Sequence, residues 1–265
     1  MKTVIAPTNL RPSAHAYGSQ TIAVASGKGG VGKTWFAITL AHALARANRS
    51  ILLFDGDLGL ANVDIHLGLM PDRNLGDVLS GRLALPQVVT RFAPGRFDII
   101  AGRSGCGRLA TLPPTRLQQV SDDLQRMTDH YDHIILDLGA GVERTVRQLV
   151  RGVGRVVVVT TDEPTALTDA YAFIKLSQMD RPQGDIAIVI NMASSRRDGE
   201  RTYHALRKAC EGFLKISPPL LGVIRRDGHV REAIRAHNSL LTRFPNTDAA
   251  MDVTSIATRL LTATR

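Results

Sequence analysis

The octapeptide Gly27-Lys28-Gly29-Gly30-Val31-Gly32-Lys33-Thr34 constrains this chain more than any other segment. It follows the apolar run TIAVAS at 21–26. It opens a stretch over 33–47 whose apolar residues, Phe36, Leu40, Ala43, Leu44 and Ala47, recur three or four positions apart. A glycine-rich turn between a strand and a helix lets backbone N–H groups point inward around an anion, and the helix N-terminus adds its dipole. In that context the segment reads as a phosphate-binding loop contributed by Gly27, Lys28, Gly29, Gly30, Val31, Gly32, Lys33 and Thr34. Lys33 is expected to reach the β- and γ-phosphates of a nucleoside triphosphate, and Thr34 to ligate Mg²⁺.

The remainder of the chain repeats the same alternation. ILLF (51–54), FDIIAG (97–102), HIILDL (133–138), RVVVVTT (155–161) and IAIVIN (186–191) are near-continuous β-branched runs, and LLGVI (220–224) predicts a seventh strand. Strands this apolar are buried on both faces, which implies a parallel sheet covered by helices. Helices are expected over 115–129, 143–151, 164–178, 200–213, 228–237 and 248–262. The fold class is therefore α/β, a doubly wound, mostly parallel sheet with helices on both faces. Residues 1–19, with two prolines and little periodicity, read as a flexible arm, and 20–265 as the folded domain.

No apolar run reaches the ~20 residues of a membrane span, and the first 20 residues have no secretory core. Two cysteines, Cys106 and Cys210, make no disulfide framework and fit a reducing, cytoplasmic setting. The formal net charge of +9 rests on 33 Lys+Arg against 24 Asp+Glu. A solvated basic surface explains it, and so does attraction to an anionic partner.

Acidic residues at strand ends complete the expected site. Asp55 and Asp57 follow the second strand. Asp57 is the candidate for orienting the attacking water and Asp55 for the Mg²⁺ shell, although Asp-Gly pairs also favour turns. Ile134-Ile135-Leu136-Asp137 is an apolar strand ending in a carboxylate, so Asp137 is expected at Mg²⁺. Gly139-Ala140-Gly141 beside it leaves room for the γ-phosphate.

The early lysine makes the loop specific. KGGVGKT resembles the deviant Walker A of the MinD/ParA ATPases, in which that lysine, here Lys28, reaches the partner's phosphates across a nucleotide-sandwich dimer. The stretches DGDLGLANVDIHLGL (55–69), IILDLGAG (134–141), TTDEPTALTDAYAFIKL (160–176) and GVIRRDGHVREAIRAHNSLLTRFPNT (222–247) are similar to the FlhG/FleN/YlxH branch. The resemblance covers about residues 20–247. It implies Mg²⁺-dependent ATP hydrolysis by Lys28, Lys33 and Asp57, and an ATP-dependent homodimer. It also implies Asn191 at the adenine base. ATP rather than GTP fits Asn191-Met192-Ala193-Ser194, which lacks the Lys and Asp of the guanine-reading pattern. Such proteins set flagellar number and placement. Their partners include an FlhF-like GTPase, flagellar basal-body proteins, a flagellar transcription activator and, peripherally, the inner face of the membrane or the cell pole.

Three features depart from that branch. Asn9-Leu10-Arg11 keeps only a fragment of the segment that stimulates FlhF. Trp35 replaces a small or polar residue, and Arg225 a proline. The stripe Val253, Ile256, Ala257, Leu260 and Leu261, with Arg259 and Arg265 nearby, suits packing on the sheet; a membrane-surface helix is the alternative. Other classes were weighed on residues. An iron–sulfur reductase needs two cysteines per subunit at the cluster, and only Cys106 lies in a comparable place. A DNA-partition ATPase would use the basic surface in a salt-sensitive way. A pure binding module would hold its nucleotide unhydrolysed.

Overall fold

A computed structural model describes residues 20–102 and 113–263. The N-terminal arm and the Gly105-Cys106-Gly107 turn lie outside the described residues. The chain runs β1 (Thr21–Ser26), α1 (Lys33–Arg46), β2 (Ile51–Gly56), α2 (Val63–Leu67), α3 (Leu75–Leu79), β3 (Thr90–Phe92) and β4 (Phe97–Ile100). It continues through α4 (Pro114–Met127), β5 (His133–Ala140), α5 (Arg144–Arg151), β6 (Arg155–Thr160), α6 (Pro164–Asp180) and β7 (Asp185–Ala193). It ends with α7 (Arg196–Ala209), β8 (Leu220–Arg225), α8 (Gly228–Arg235), α9 (Leu240–Arg243) and α10 (Asp248–Ala263).

The sheet has eight strands in the order β3-β4-β2-β5-β1-β6-β7-β8. All pair in parallel except β3, which is antiparallel to β4 at the edge. β1 lies between β5 and β6; the chain leaves β1 for β2 on one side and later passes from β5 to β6 on the other. This switch point opens a crevice at the strands' carboxyl ends, the usual ligand position in such sheets. The phosphate loop lies at that point.

Alternation along each strand divides the core. Ile22 and Val24 pack with α1, α8, α9 and α10 on one face; Ala23 and Ala25 pack with α3 to α7 on the other. Each large apolar side chain buried in these layers contributes about 1.5–3 kcal/mol. The stripe on α10 belongs to the first layer: Val253, Ile256, Ala257 and Leu260 are buried, and the helix packs on β8 and α1. Gly222 on β8 permits this approach, because a Cβ there would lie 2.4 Å from Ile256 Cγ1.

The structure adds elements the periodicity did not indicate. β3 has three residues, too few for a pattern. α2 and α3 have five residues each, too few for their buried residues Val63 and Leu67, and Leu75, Val78 and Leu79, to stand out as a periodic stripe. Asn74 Oδ1 accepts from Gly76 N, and Asp77 Oδ2 accepts from Asn74 N, a reciprocal cap. α7 begins at Arg196 rather than 200, because Ser195 Oγ caps it by accepting from Asp198 N. Ser195-x-x-Asp198 was the available sequence signal.

Candidate functional site

The loop between β1 and α1 takes its shape from two glycines in the left-handed region, Gly30 at φ 81° and Gly32 at φ 85°. Gly32 is the N-cap of α1 and brings no side chain to the helix's first N–H groups. Those donors, with the dipole behind them, form an anion site. Val31 is buried, while Gly29 and Gly30 are exposed on the outer turn. Ser26 Oγ donates to Lys28 O at 2.9 Å and secures the loop's start. Gly27 passes directly over α6: a Cβ there would lie 2.1 Å from the Asp169 carbonyl oxygen.

Lys33 returns beneath the loop and donates through Nζ to Asp137 Oδ1 at 2.9 Å. Both are buried, with Lys33 7% and Asp137 0% exposed. Burial pushes the Asp137 carboxyl above its ordinary range, against Lys33 and the hydrogen bond from Thr34 that favour its charged form. Its other oxygen, Oδ2, is buried without a partner among the described residues. A buried carboxylate oxygen left open beside a threonine hydroxyl fits a divalent cation, so the donor set present here suits Mg²⁺.

Asp55 is level with Asp137 in the β2–β5 register and is also fully buried. Burial, then the Asp137 charge, raise its carboxyl to about 7. Three backbone donors occupy its oxygens: Asp57 N on Oδ1 at 3.2 Å, and Asn62 N and Val63 N on Oδ2 at 3.0 and 3.1 Å. The start of α2 is thereby fastened to β2. Asp57 is half-buried; its Oδ1 accepts from Gly59 N and Leu60 N at 3.3 and 2.9 Å. Its carboxylate faces Gly139, whose missing Cβ would lie 3.5 Å from Oδ1. The second strand's acids and the Gly139 turn therefore converge.

Lys28 and Asn191 take opposite sides of the loop. Lys28 Nζ lies 2.7 Å from Glu163 Oε2 and 2.8 Å from Thr165 Oγ1, at the start of α6 in the same chain. Asn191 Nδ2 donates to Val31 O at 2.8 Å and is buried against Gly32. Glu163 and Thr165 were not singled out in the sequence. Their signal was a carboxylate directly before Pro164, the first residue of a helix. Trp35, directly after Thr34, is buried with its indole N–H unpartnered among the described residues. Arg225 is held by Asp252 and Asp248, a network that fixes the chain leaving β8 to α10.

Comparison with known proteins places this site in a family. Residues 22–240 match the CobQ/CobB/MinD/ParA nucleotide binding domain. Antiactivator FleN of Pseudomonas aeruginosa is 37% identical over 91% of this chain and 86% of its own length. Flagellum site-determining protein YlxH of Helicobacter pylori is 30% identical over 89% and 80%. The cell division ATPase MinD of Pyrococcus furiosus superposes with a TM-score of 0.79 at 25% identity, covering 93% of this chain and 100% of that one. MinD of Pyrococcus horikoshii, solved with Mg-ADP, gives 0.78 at 25% identity, covering 91% and 95%. The chain belongs to the CobQ/CobB/MinD/ParA nucleotide-binding family and is a MinD/ParA-type ATPase.

Proposed function

We propose that the protein is an ATP-driven dimer switch that sets flagellar number or placement. The buried Lys33–Asp137 pair, with Asp137 Oδ2 open beside Thr34, carries this reading. The similarity to FleN and YlxH over nine-tenths of the chain supports the flagellar role. Backbone N–H groups of Gly27 to Thr34 surround the phosphates, and Lys33 supplies charge at the β- and γ-phosphates. Thr34 and Asp137 hold Mg²⁺, with Asp55 behind them, and the ion offsets phosphate charge when bound. Asp57 orients the attacking water. Lys28 serves the nucleotide of a second copy, and Asn191 borders the base. Partners of the ATP-bound dimer are an FlhF-like GTPase, basal-body proteins or a flagellar transcription activator, with peripheral contact at the membrane or cell pole. No helix among the described residues is long and apolar enough to cross a membrane.

Three measurements test this reading. Lys33→Ala removes the phosphate charge and is expected to lose ATP affinity and dimerisation together; wild-type affinity in calorimetry overturns the loop assignment. Asp57→Ala is expected to keep ATP and accumulate as a dimer, because water positioning belongs to the transition state. A monomer in sedimentation with ATP and Mg²⁺ sinks the switch. Complementation of a FleN-deficient Pseudomonas aeruginosa strain, scored as flagella per cell, tests the flagellar role.

A further inference from the structure

α5 carries three arginines on one face. Arg144, Arg147 and Arg151 stand at positions i, i+3 and i+7 and line a cavity of about 500 Å³ against α4. Gln118, Ser121 and Gln125 of α4 form the opposite wall. Among the described residues, no residue of the phosphate loop, no apolar side chain and no carboxylate lines it. The acid paired with these arginines is Asp180 at the end of α6. It accepts from Arg147 Nε and Nη2 at 2.7 and 2.8 Å and from Arg151 Nη2 at 2.9 Å. One carboxylate thus answers two guanidinium groups and fixes their rotamers. Arg147 Nη1 and Arg151 Nη1 and Nε have no acceptor among the described residues. Arg144 makes no ion pair among the described residues. Three arginines line the cleft, and the acids near it are Asp180, Asp122, which accepts from Gln118 Nε2 at 2.9 Å, and Glu143 at the start of α5. Ser121 adds a buried hydroxyl with no partner among the described residues.

We propose that this cleft is a second ligand site, for a small phosphate-bearing molecule of about mononucleotide size. The planar fork of Arg144 can match phosphate oxygens in a pair, and Arg147 and Arg151, already held by Asp180, lose little freedom on adding single bonds. The volume lies within the range of roughly 300–1,000 Å³ typical of small-ligand sites, larger than a lone phosphate needs. The glutamine amides along the α4 wall supply donors and acceptors for the rest of such a ligand. A concave wall of arginine, glutamine and serine side chains suits an anionic small molecule better than an apolar partner surface.

The test uses the full chain saturated with Mg-ADP, so that the phosphate loop is occupied before any probe is added. GMP and pyrophosphate are then titrated by calorimetry. One GMP site per chain is expected, with pyrophosphate competing for it. Arg144 makes no side-chain hydrogen bond or ion pair among the described residues, so the melting temperature of Arg144→Ala without GMP should equal the wild type's. Its GMP affinity should fall about tenfold, the scale of one charge-assisted fork. Arg144→Lys, which keeps the charge but not the fork, should fall between the two. Arg151→Gln should lose affinity similarly while Arg147 continues to hold Asp180. No binding at millimolar probe overturns the proposal, as does binding that survives both Arg144→Ala and Arg151→Gln. Uptake of an acidic peptide at these arginines, with neither GMP nor pyrophosphate bound, also overturns it.

Discussion

Asn191 Nδ2 donates to the Val31 carbonyl at 2.8 Å, so the end of β7 is tied to the middle of the phosphate loop. The amide is held on its other side, where Oδ1 accepts from Met192 N at 2.9 Å and Met192 takes φ 57°. Asn191→Ala leaves a buried carbonyl without its donor, expected to cost about 1–3 kcal/mol. Asn191→Asp does more harm, because a carboxylate oxygen then faces the Val31 carbonyl. Urea midpoints should fall in the order wild type, Ala, Asp, and ADP affinity should fall with them. Equal midpoints for all three would show that the loop keeps its shape without this bond.

Two glycines of the loop separate tight packing from freedom. A Cβ on Gly27 would lie 2.1 Å from Asp169 O and 2.2 Å from its carbonyl carbon, so any side chain must displace the α6 backbone. A Cβ on Gly29 meets nothing within 4 Å. Gly27→Ala is expected to lose roughly 1–3 kcal/mol, the usual cost of overpacking, and Gly29→Ala under about 0.5 kcal/mol. Thermal melts of the two variants check the contrast. Equal stability would mean that α6 does not rest on the loop as described.

His42 gives the fold an acid limit. It is buried in α1, its Nδ1 lies 2.6 Å from Ser239 Oγ, and burial, then Arg46 and Arg96, lower its pKa to about 4. Below the ordinary histidine pKa of ~6.5 the unfolded chain takes up a proton that the folded one refuses. Stability is therefore complete above 6.5 and lost as pH falls from 6.5 to 4, by about 3 kcal/mol in total. Asp55 opposes this from the other side. Its raised carboxyl costs stability as pH rises from about 4 through 7. His42→Asn should flatten the acid limb of the melting curve, and Asp55→Asn the neutral one. An unchanged acid limb in His42→Asn would assign it to other groups.

Much of this fold was legible because its strands are buried on both faces. The segments 134–136 and 156–159 at the centres of β5 and β6 are wholly apolar and buried, so their place in the sheet follows from burial alone. What stayed hidden depends on local hydrogen bonds or long-range meetings. α3 rests on the Asn74–Asp77 reciprocal cap, and β3 on pairing with β4 at an edge. In the site, Lys33 and Asp137 are recognisable from their loop and strand end. The bond joining them crosses 104 positions and follows from β1 lying beside β5. Asp55 shows the limit most plainly. Its residue type and position suit a metal, yet three backbone N–H groups hold it, and the sequence between 57 and 63 does not reveal that turn.

Lys28 provides the final prediction. Its ammonium contacts Glu163 and Thr165 of its own chain, with the two ion-pair side chains 37% and 62% exposed. An ion pair this open to water is screened and readily exchanged. If Lys28 serves a neighbour's γ-phosphate, it must leave Glu163 first, and the two destinations compete. Glu163→Gln should then favour release, so dimerisation should begin at a lower ATP concentration than in the wild type. Lys28→Ala should bind ATP nearly normally as a monomer, because Lys33 already serves the phosphates in cis, yet fail to dimerise or turn over at full rate. Mixing gives the sharper outcome. An Asp57→Ala subunit retains Lys28, and a Lys28→Ala subunit retains Asp57, so the mixed dimer contains one complete site. Some turnover should return relative to either variant alone, since a cation supplied across the interface couples association to γ-phosphate charge. Confirmed mixed dimers without rescue, together with a Glu163→Gln variant that assembles like the wild type, would leave Lys28 as a residue of its own chain's loop and α6.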